Sequence, residues 1–335
     1  MKKIIVTVAI ASLGILYFCS CQKIIEKTVY IKDTTIINAP TVVLPEFNII
    51  DYGAIGDGKT DCSEIINKIV NEKIPASGGT ILIPFGDFLL NNPIIINKNF
   101  VTIRGLNTGL RSNVDVNSAA LANPGGGSKL LLGSSSIGIN IPVLPDVNGR
   151  KNRVSGLVIK NLLISGGTSI KGVGINIAQD NDGVRIEDFV GINLNTGIVA
   201  NAADAMIIKN CWISECTNSI SMSNGIQNMI SNCQLGAQPA GITVQLTNQE
   251  NFIFSNNHVY PDGNVNLQMS NCNYGNISGN NFQSYYLGII ELNNSSKNLI
   301  SNNIIWMRTP ANPASQLRGR DANYGVVRVS GLVVT

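Results

Sequence analysis

The sequence predicts an all-β chain wound as a right-handed, single-stranded parallel β-helix, closed at its N-terminal end by a capping α-helix. Two observations carry this reading. Asp188, Asn210, Asn232, Asn256, Asn280 and Asn302 recur at spacings of 22, 22, 24, 24 and 22 residues. They follow short apolar runs such as Met206-Ile207-Ile208, Met229-Ile230, Phe252-Ile253-Phe254 and Leu299-Ile300. Such runs are too short for helix pairs, and a unit of that length suits one coil of a solenoid whose strands stack roughly 4.8 Å apart. The recurrent column is expected to form an amide ladder that satisfies backbone groups where each coil bends. Asn-Asn pairs such as Asn256-Asn257 and Asn280-Asn281 are expected to supply left-handed turn conformations.

Ahead of the repeat, Lys2-Lys3, an apolar stretch from Ile4 to Phe18 and a Cys-Ser-Cys segment read as a secretory signal peptide, too short for a comfortable membrane span. Cys21 follows the small Ser20 whereas Cys19 follows Phe18, so Cys21 is the expected lipidation site of a bacterial lipoprotein. The alternative is a plain secretory signal. The expected organisation is a signal peptide over 1–20, a tether over 21–45 and a β-helix domain over 46–335. Location in the bacterial cell envelope follows, with membrane contact only through the lipid anchor. The strand pattern is still running at Val329-Ser-Gly-Leu-Val-Val-Thr335, as expected of a chain cut short of its last coils.

Composition narrows the partner. The chain is 44% hydrophobic and 13% charged, and its formal charge of +3 includes Lys2 and Lys3, so no electrostatic case for nucleic acid survives. An uncharged or weakly charged partner is implied. Cys62, Cys211, Cys216, Cys233 and Cys272 are expected to be core thiols rather than disulfides, with Cys211 and Cys233 stacked one period apart. His258 is the sole histidine and there is no Cys-x-x-Cys pair, so neither a metal site nor a cofactor is expected.

The body opens at Phe47 and leads into a helix from Cys62 to about Lys73, with Ile65, Ile66, Ile69 and Val70 on one face and Asp61 and Glu64 at capping-box spacing. That helix would cover the open end of the solenoid. Gly78-Gly-Thr-Ile-Leu-Ile-Pro-Phe-Gly-Asp87, Ile94-Ile-Ile96 and Val101-Thr-Ile-Arg-Gly105 then begin the coils. This stretch resembles the N-terminal signature of the pectate-lyase-like superfamily of β-helix proteins, which specifies fold better than function. Residues 106–150, rich in Gly, Ser and Asn, read as a long excursion over a substrate face.

Stacked strands make a long shallow groove that fits a glycan, and cleaving a glycan requires acid and base groups. A calcium-dependent pectate lyase needs a carboxylate cluster with an attendant Arg, and a polygalacturonase needs paired aspartates and Gly-His-Gly; neither pattern is present. A better match runs from Ala178-Gln-Asp-Asn-Asp-Gly-Val-Arg185 through Ala203-Asp-Ala205, Ile213-Ser-Glu-Cys216, Gln234-Leu-Gly-Ala237, Ser255-Asn-Asn-His-Val-Tyr-Pro261 and Asn281-Phe-Gln-Ser-Tyr-Tyr286 to Tyr324-Gly-Val-Val327. In that order it resembles the inulin fructotransferases. The resemblance implies a homotrimeric β-helix enzyme that releases difructose dianhydride from inulin by intramolecular fructosyl transfer, with sites at subunit interfaces.

It also implies Asp204 and Glu215 as the catalytic carboxylates; of the two, Glu215 is read here as the acid and Asp204 as the base or nucleophile, an assignment the resemblance itself leaves open. Two carboxyl groups can divide the work of an oxocarbenium-like reaction, and an internal hydroxyl as nucleophile gains from proximity if water is excluded. Eleven residues is half a coil, so a neighbouring subunit is expected to bring Asp204 to Glu215. Stepping Glu215 by 23, 24 and 24 gives Gln238, Asp262 and Tyr286, a polar column expected to face the glycan. Asp180, Asp182, Tyr285 and Tyr286 complete the expected substrate contacts, and Trp212 is a further stacking candidate. Where the family often carries a basic residue after an aromatic-Pro pair, this chain has Tyr260-Pro-Asp262. The rival readings are a non-catalytic glycan-binding surface lipoprotein and another β-helix polysaccharide lyase or glycosidase.

Overall fold

A computed structural model describes residues 44–110, 127–179, 181–285, 289–307 and 327–330. The signal peptide, Cys21 and all but the end of the tether lie outside the described residues, as do Asp180 and Tyr286.

Three short strands make one coil. In a representative coil Ile207–Lys209 turns into Trp212–Cys216, which turns into Asn218–Ile226, before the next coil starts at Met229–Ser231. All ladders between coils are parallel and hold register over many turns. The first runs Ile207, Met229, Ile253, Asn276, Leu299. The second runs Trp212, Gln234, His258, Asn281, Ile304. The third runs Ile220, Val244, Leu267, Ile290, Val327 and contains nine strands in all, which makes a β-solenoid of about nine turns.

Alternation along each strand explains the core. Ile186, Ile208, Ile230, Phe254 and Ile277 stack inward in register, and all are buried. Phe254 and Phe282 meet across the interior with ring centroids 6.0 Å apart. Burying these columns supplies the main driving force, roughly 25 cal/mol for each Å² of apolar surface removed from water.

The recurrent polar column resolves into two adjacent columns with different tasks. Asp188, Asn210, Asn232, Asn256 and Asn302 all have left-handed backbone, φ 48, 55, 54, 55 and 54°, and make the bend between the first and second strands. Asn280 does not belong to this set; Gly279, φ 69°, takes the bend in its coil. Asn280 lies one position on, inside the solenoid, between Asn257 and Asn303. There the backbone N–H of Asn257 donates to Asn280 Oδ1 at 2.9 Å, and that of Asn280 donates to Asn303 Oδ1 at 2.9 Å. Each amide also donates back to a carbonyl of the preceding coil: Asn257 to Ile230, Asn280 to Phe254 and Asn303 to Ile277, at 3.1, 2.9 and 2.8 Å. The amide ladder therefore exists, one residue after the expected column. Cys233 and Cys211 continue it downward as buried free thiols, donating to Ile208 O and Ile186 O.

The N-terminal cap spans the expected residues but changes type part-way. Ser63–Lys68 is α-helical and Ile69–Lys73 continues as a π-helical turn, with Ile66, Ile69 and Val70 buried. Asp61 does not form a reciprocal box with Glu64. Its carboxylate accepts from Ser63 N and from Asn91 N, at 3.0 and 3.1 Å, tying the helix start to the neighbouring strand end. Asn67 bonds Pro93 O and Ile95 N at 2.9 and 2.8 Å, so the helix stands where a coil beneath Ile94–Ile95 would be. The excursion is also narrower than 106–150: Ser128–Leu132 and Ile137–Ile141 are strands of the second and third ladders.

Replacing Asn280 by Ala removes an acceptor from Asn257 N–H and a donor from Phe254 O in a dry interior. We expect a loss of about 2–3 kcal/mol in urea unfolding, whereas Asn256→Gly, at the exposed bend beside it, should change stability by only a few tenths.

Candidate active site

Sequence dictates an irregularity at the end of one strand of the second ladder. Trp212 pairs with Gln234 and Ile213 with Leu235, but Cys216 pairs with Ala237, so the Trp212–Cys216 strand carries one residue more than its neighbour. Glu215 sits in this bulge. Its backbone is left-handed, φ 54°. The coil below makes the same bend with Asn193, φ 55°, a residue type that tolerates it; Glu does not, and the strain is worth about 1 kcal/mol. A bulge re-aims its side chain, and here it turns Glu215 into an open cleft.

The cleft has a volume of about 400 Å³ and lies on the outer face of the second ladder. Ile192 and Trp212 form an apolar floor with Leu163 and Val190, and Leu110, at the start of the excursion, packs on it. Glu215, Gln238 and Asp262 bring polar groups to it from successive coils. Gln238 Nε2 donates to Glu215 Oε2 at 3.0 Å. Glu215 is exposed through the open side, yet surrounding protein displaces enough water to push its carboxyl above the usual range, and the negative charge of Asp262 adds to that; the Gln238 hydrogen bond opposes it.

Aromatic groups complete the cleft. Tyr260 Oη donates to Gln234 Oε1 at 2.5 Å, and its ring lies 4.9 Å from that of His258, whose Nε2 is 3.2 Å from Gln283 Nε2. Trp212 lines the floor, and its indole Nε1, buried, has no hydrogen-bond partner. Among the described residues no three His, Cys, Asp or Glu side chains gather as metal ligands.

Asp204 stands elsewhere. Ala203–Asp204 is a two-residue strand at the corner between the third and first ladders, pairing with Asn181–Asp182 below and Ile226 above. Arg153 Nη1 lies 2.8 Å from Asp182 Oδ1 and 4.0 Å from Asp204 Oδ2. Ala202 and Ala205, on either side, are both left-handed, φ 53 and 51°, where the next coil has Asn224 and Gln227. Alanine gains nothing from that conformation, so this corner is strained as well. The described lining of the cleft does not include Asp204.

Over most of its length the chain matches a characterised enzyme. It is 27% identical over 310 residues, 83% of this chain and 75% of the relative, to an inulin fructotransferase (DFA-I-forming) of Arthrobacter globiformis. The chain is a homologue of inulin fructotransferase. Its fold is that of a DFA-IIIase from Arthrobacter chlorophenolicus A6, solved in complex with DFA-III, with a TM-score of 0.73 and 21% identity over 85% of this chain and 75% of that one. The same protein without its lid aligns with a TM-score of 0.73 at 22% identity, covering 86% of this chain and 79% of that one. Residues 46–110 match the rhamnogalacturonase A/epimerase, pectate lyase-like family model. Residues 147–309 match the periplasmic copper-binding protein (NosD) model.

Within this inulin fructotransferase homologue the expected residues separate into two places. Glu215, Gln238, Asp262 and Trp212 meet in the cleft, while Asp204 and Asp182 meet Arg153 at the opposite corner. Tyr285 is half-buried just past the Asn281–Ser284 strand and does not belong to the described lining. Sequence reasoning missed Leu110, Tyr260 and Arg153. Tyr260 was within reach of it, because stepping back one coil along its ladder leads to Gly236 and then to Ser214 beside Glu215.

Glu215→Asn should relieve the left-handed strain and raise the unfolding free energy by about 1 kcal/mol at neutral pH. The proton linkage has a definite sign. A carboxyl whose folded-state pKa lies above its unfolded value favours the fold below the unfolded value, and that contribution is lost as pH rises through the folded pKa. The advantage of the variant should therefore shrink as pH falls through the folded-state pKa toward the ordinary carboxylate value of 4.5 and change no further below it, which urea unfolding at several pH values checks.

Proposed function

We propose that this chain is a fructan-processing enzyme that cleaves inulin-type fructan by intramolecular fructosyl transfer and releases a difructose dianhydride. The observation that carries the reading is the placement of Glu215. In a homologue of inulin fructotransferase, the carboxyl of the Glu-Cys segment occupies an open cleft, bulged out of its strand and biased toward its protonated form. That is the condition a general acid needs.

In the proposed reaction the bond between an anomeric carbon and its bridging oxygen breaks, and the proton of Glu215 passes to that oxygen. A hydroxyl of the terminal fructose forms the new bond to the anomeric carbon, and its proton passes to Asp204. The separation of Asp204 from the cleft supports a homotrimer in which the neighbouring subunit supplies Asp204 to each Glu215. Because the nucleophile belongs to the substrate, holding it near the reacting carbon supplies much of the rate, and the apolar floor of Ile192, Trp212 and Leu110 disfavours water as a competitor. The N-terminal segment supports a lipid-anchored envelope protein modified at Cys21, for which the mass of the mature N-terminus is the test.

Incubation with inulin followed by chromatography should yield a cyclic difructose. Free fructose as the main product would mark a hydrolase, and retention of inulin without turnover would mark a glycan-binding lipoprotein. Glu215→Gln and Asp204→Asn should each lower kcat by roughly 10²–10⁴-fold. Mixing the two inactive variants should restore part of the activity if the site spans two subunits; a monomer with full activity would overturn that arrangement.

A further inference from the structure

On the core side of the bulge, one hydroxyl spans the two strands that the bulge sets out of step. Ser219 opens the third strand of the Glu215 coil, is fully buried and does not belong to the described cleft lining. Its Oγ accepts from Gly236 N–H at 3.1 Å, and its single proton has two carbonyls within reach, Gly236 O at 2.7 Å and Ile213 O at 2.9 Å. These partners frame the irregularity. Ile213 is the last residue of its strand in regular pairing, and Gly236 is the single residue that faces both Ser214 and Glu215.

Neighbouring coils show what that hydroxyl does. The register of the third ladder sets Gly197 level with Ser219 in the coil below and Thr243 level with it in the coil above. Gly197 has no side chain, and a Cβ there would meet Ile213 Cγ2 at 2.3 Å. Thr243 is buried, and its Oγ1 has no hydrogen-bond partner. Beside it the second ladder runs on without a bulge, Gln234 with His258 and Leu235 with Val259, and Tyr260 N–H donates directly to Leu235 O at 2.8 Å. A hydroxyl at this depth is therefore bonded where the strand bulges and idle where it does not.

We propose that Ser219 is a positioning residue for the reaction: its hydroxyl fastens the bulge from the core side and so holds the Glu215 carboxyl in the cleft, without touching substrate itself. The inference rests on the assignment of Glu215 as the acid in the proposed function. A left-handed Glu, φ 54°, persists only where its surroundings over-determine it. Ser219 supplies that constraint, because its bonds to Ile213 and Gly236 lie in a dry interior where losing them leaves backbone groups under-satisfied. Gly236 also lines the cleft beside Glu215, so the same hydroxyl sets the acid and the floor next to it.

The test separates positioning from plain support of the fold. In Ser219→Ala, hydrogen exchange at the Gly236 amide should quicken about tenfold, the equivalent of one buried hydrogen bond. Thr243→Val removes a hydroxyl that bonds nothing, and should leave both that amide and kcat unchanged. With inulin as substrate, Ser219→Ala should lower kcat about 10–100-fold with KM held within about twofold. Ser219→Cys, which keeps a weak donor, should show the same pattern at smaller size. In a Glu215→Gln background Ser219→Ala should cost nothing further, because Ser219 acts through Glu215. Full kcat in Ser219→Ala, an equal loss with and without the Glu215 carboxyl, or an unchanged Gly236 amide would each overturn the inference. Quickened exchange in Ser219→Ala but not Thr243→Val, in a protein that does not convert inulin, would sustain the fastening of the bulge and bring down the proposed function instead.

Discussion

Everything in this molecule depends on each coil returning in register above the last. Parallel strands in neighbouring coils bond only if every turn spends the same residues on the same corners, and the side-chain period of two makes a slip of one residue turn the core outward. The corners are therefore the most constrained part of the chain. Between the first and second ladders they are made by left-handed Asp188, Asn210, Asn232, Asn256, Gly279 and Asn302, residue types for which that backbone is cheap. Immediately inside, Asn257, Asn280 and Asn303 return the hydrogen bonds that the bend removes from the strands. Core packing supplies the free energy, while the corners select the register in which it is gained.

Both candidate carboxylates occur where this rule is broken. Glu215 takes a left-handed position that Asn193 fills one coil below, and the strand of the coil above is one residue shorter at that corner. Asp204 lies between two left-handed alanines at a corner that the following coils make with Asn224 and Gln227, then Asn248 and Asn251. At the Glu215 corner the coil below shows the cheaper residue, Asn193, whereas at the Asp204 corner later coils place Gln227, Tyr274 and Lys297 in the same left-handed backbone as Ala205. Local inconsistency of this kind concentrates at functional sites because stability alone would remove it.

The solenoid was legible in the sequence because a period near 22 residues, β-branched runs and recurring Asn leave few other architectures. The ladder was legible too, but displaced: Asn280 fits the spacing of both adjacent columns, and only the backbone distinguishes the bend at Gly279 from the inward amide at Asn280. The capping helix was foreseen together with its start, whereas the hydrogen bonds of Asp61 were not, since Asp61 serves Ser63 and Asn91, a partner 30 residues away that no local pattern contains. In the site, the column of Glu215, Gln238 and Asp262 followed from counting along the repeat, and the cleft brings them together. Leu110 and Arg153 did not follow, because they reach their places from irregular segments outside the period.

The two carboxylates also stand in opposite electrostatic settings. Asp204 has the Arg153 guanidinium 4.0 Å away, and Glu215 has the anion Asp262 in its own cleft with only a neutral amide as its hydrogen-bond partner. Reactions that need an acid and a base from one residue type require environments that push the two apart. A solenoid provides them economically, because faces separated by half a coil share a backbone but not a solvent boundary or a set of neighbours. Under the proposed function the requirement would then pass to assembly: Glu215 and Asp204 would be tuned separately on each chain, and bringing them to one substrate would be a matter of how chains are placed side by side.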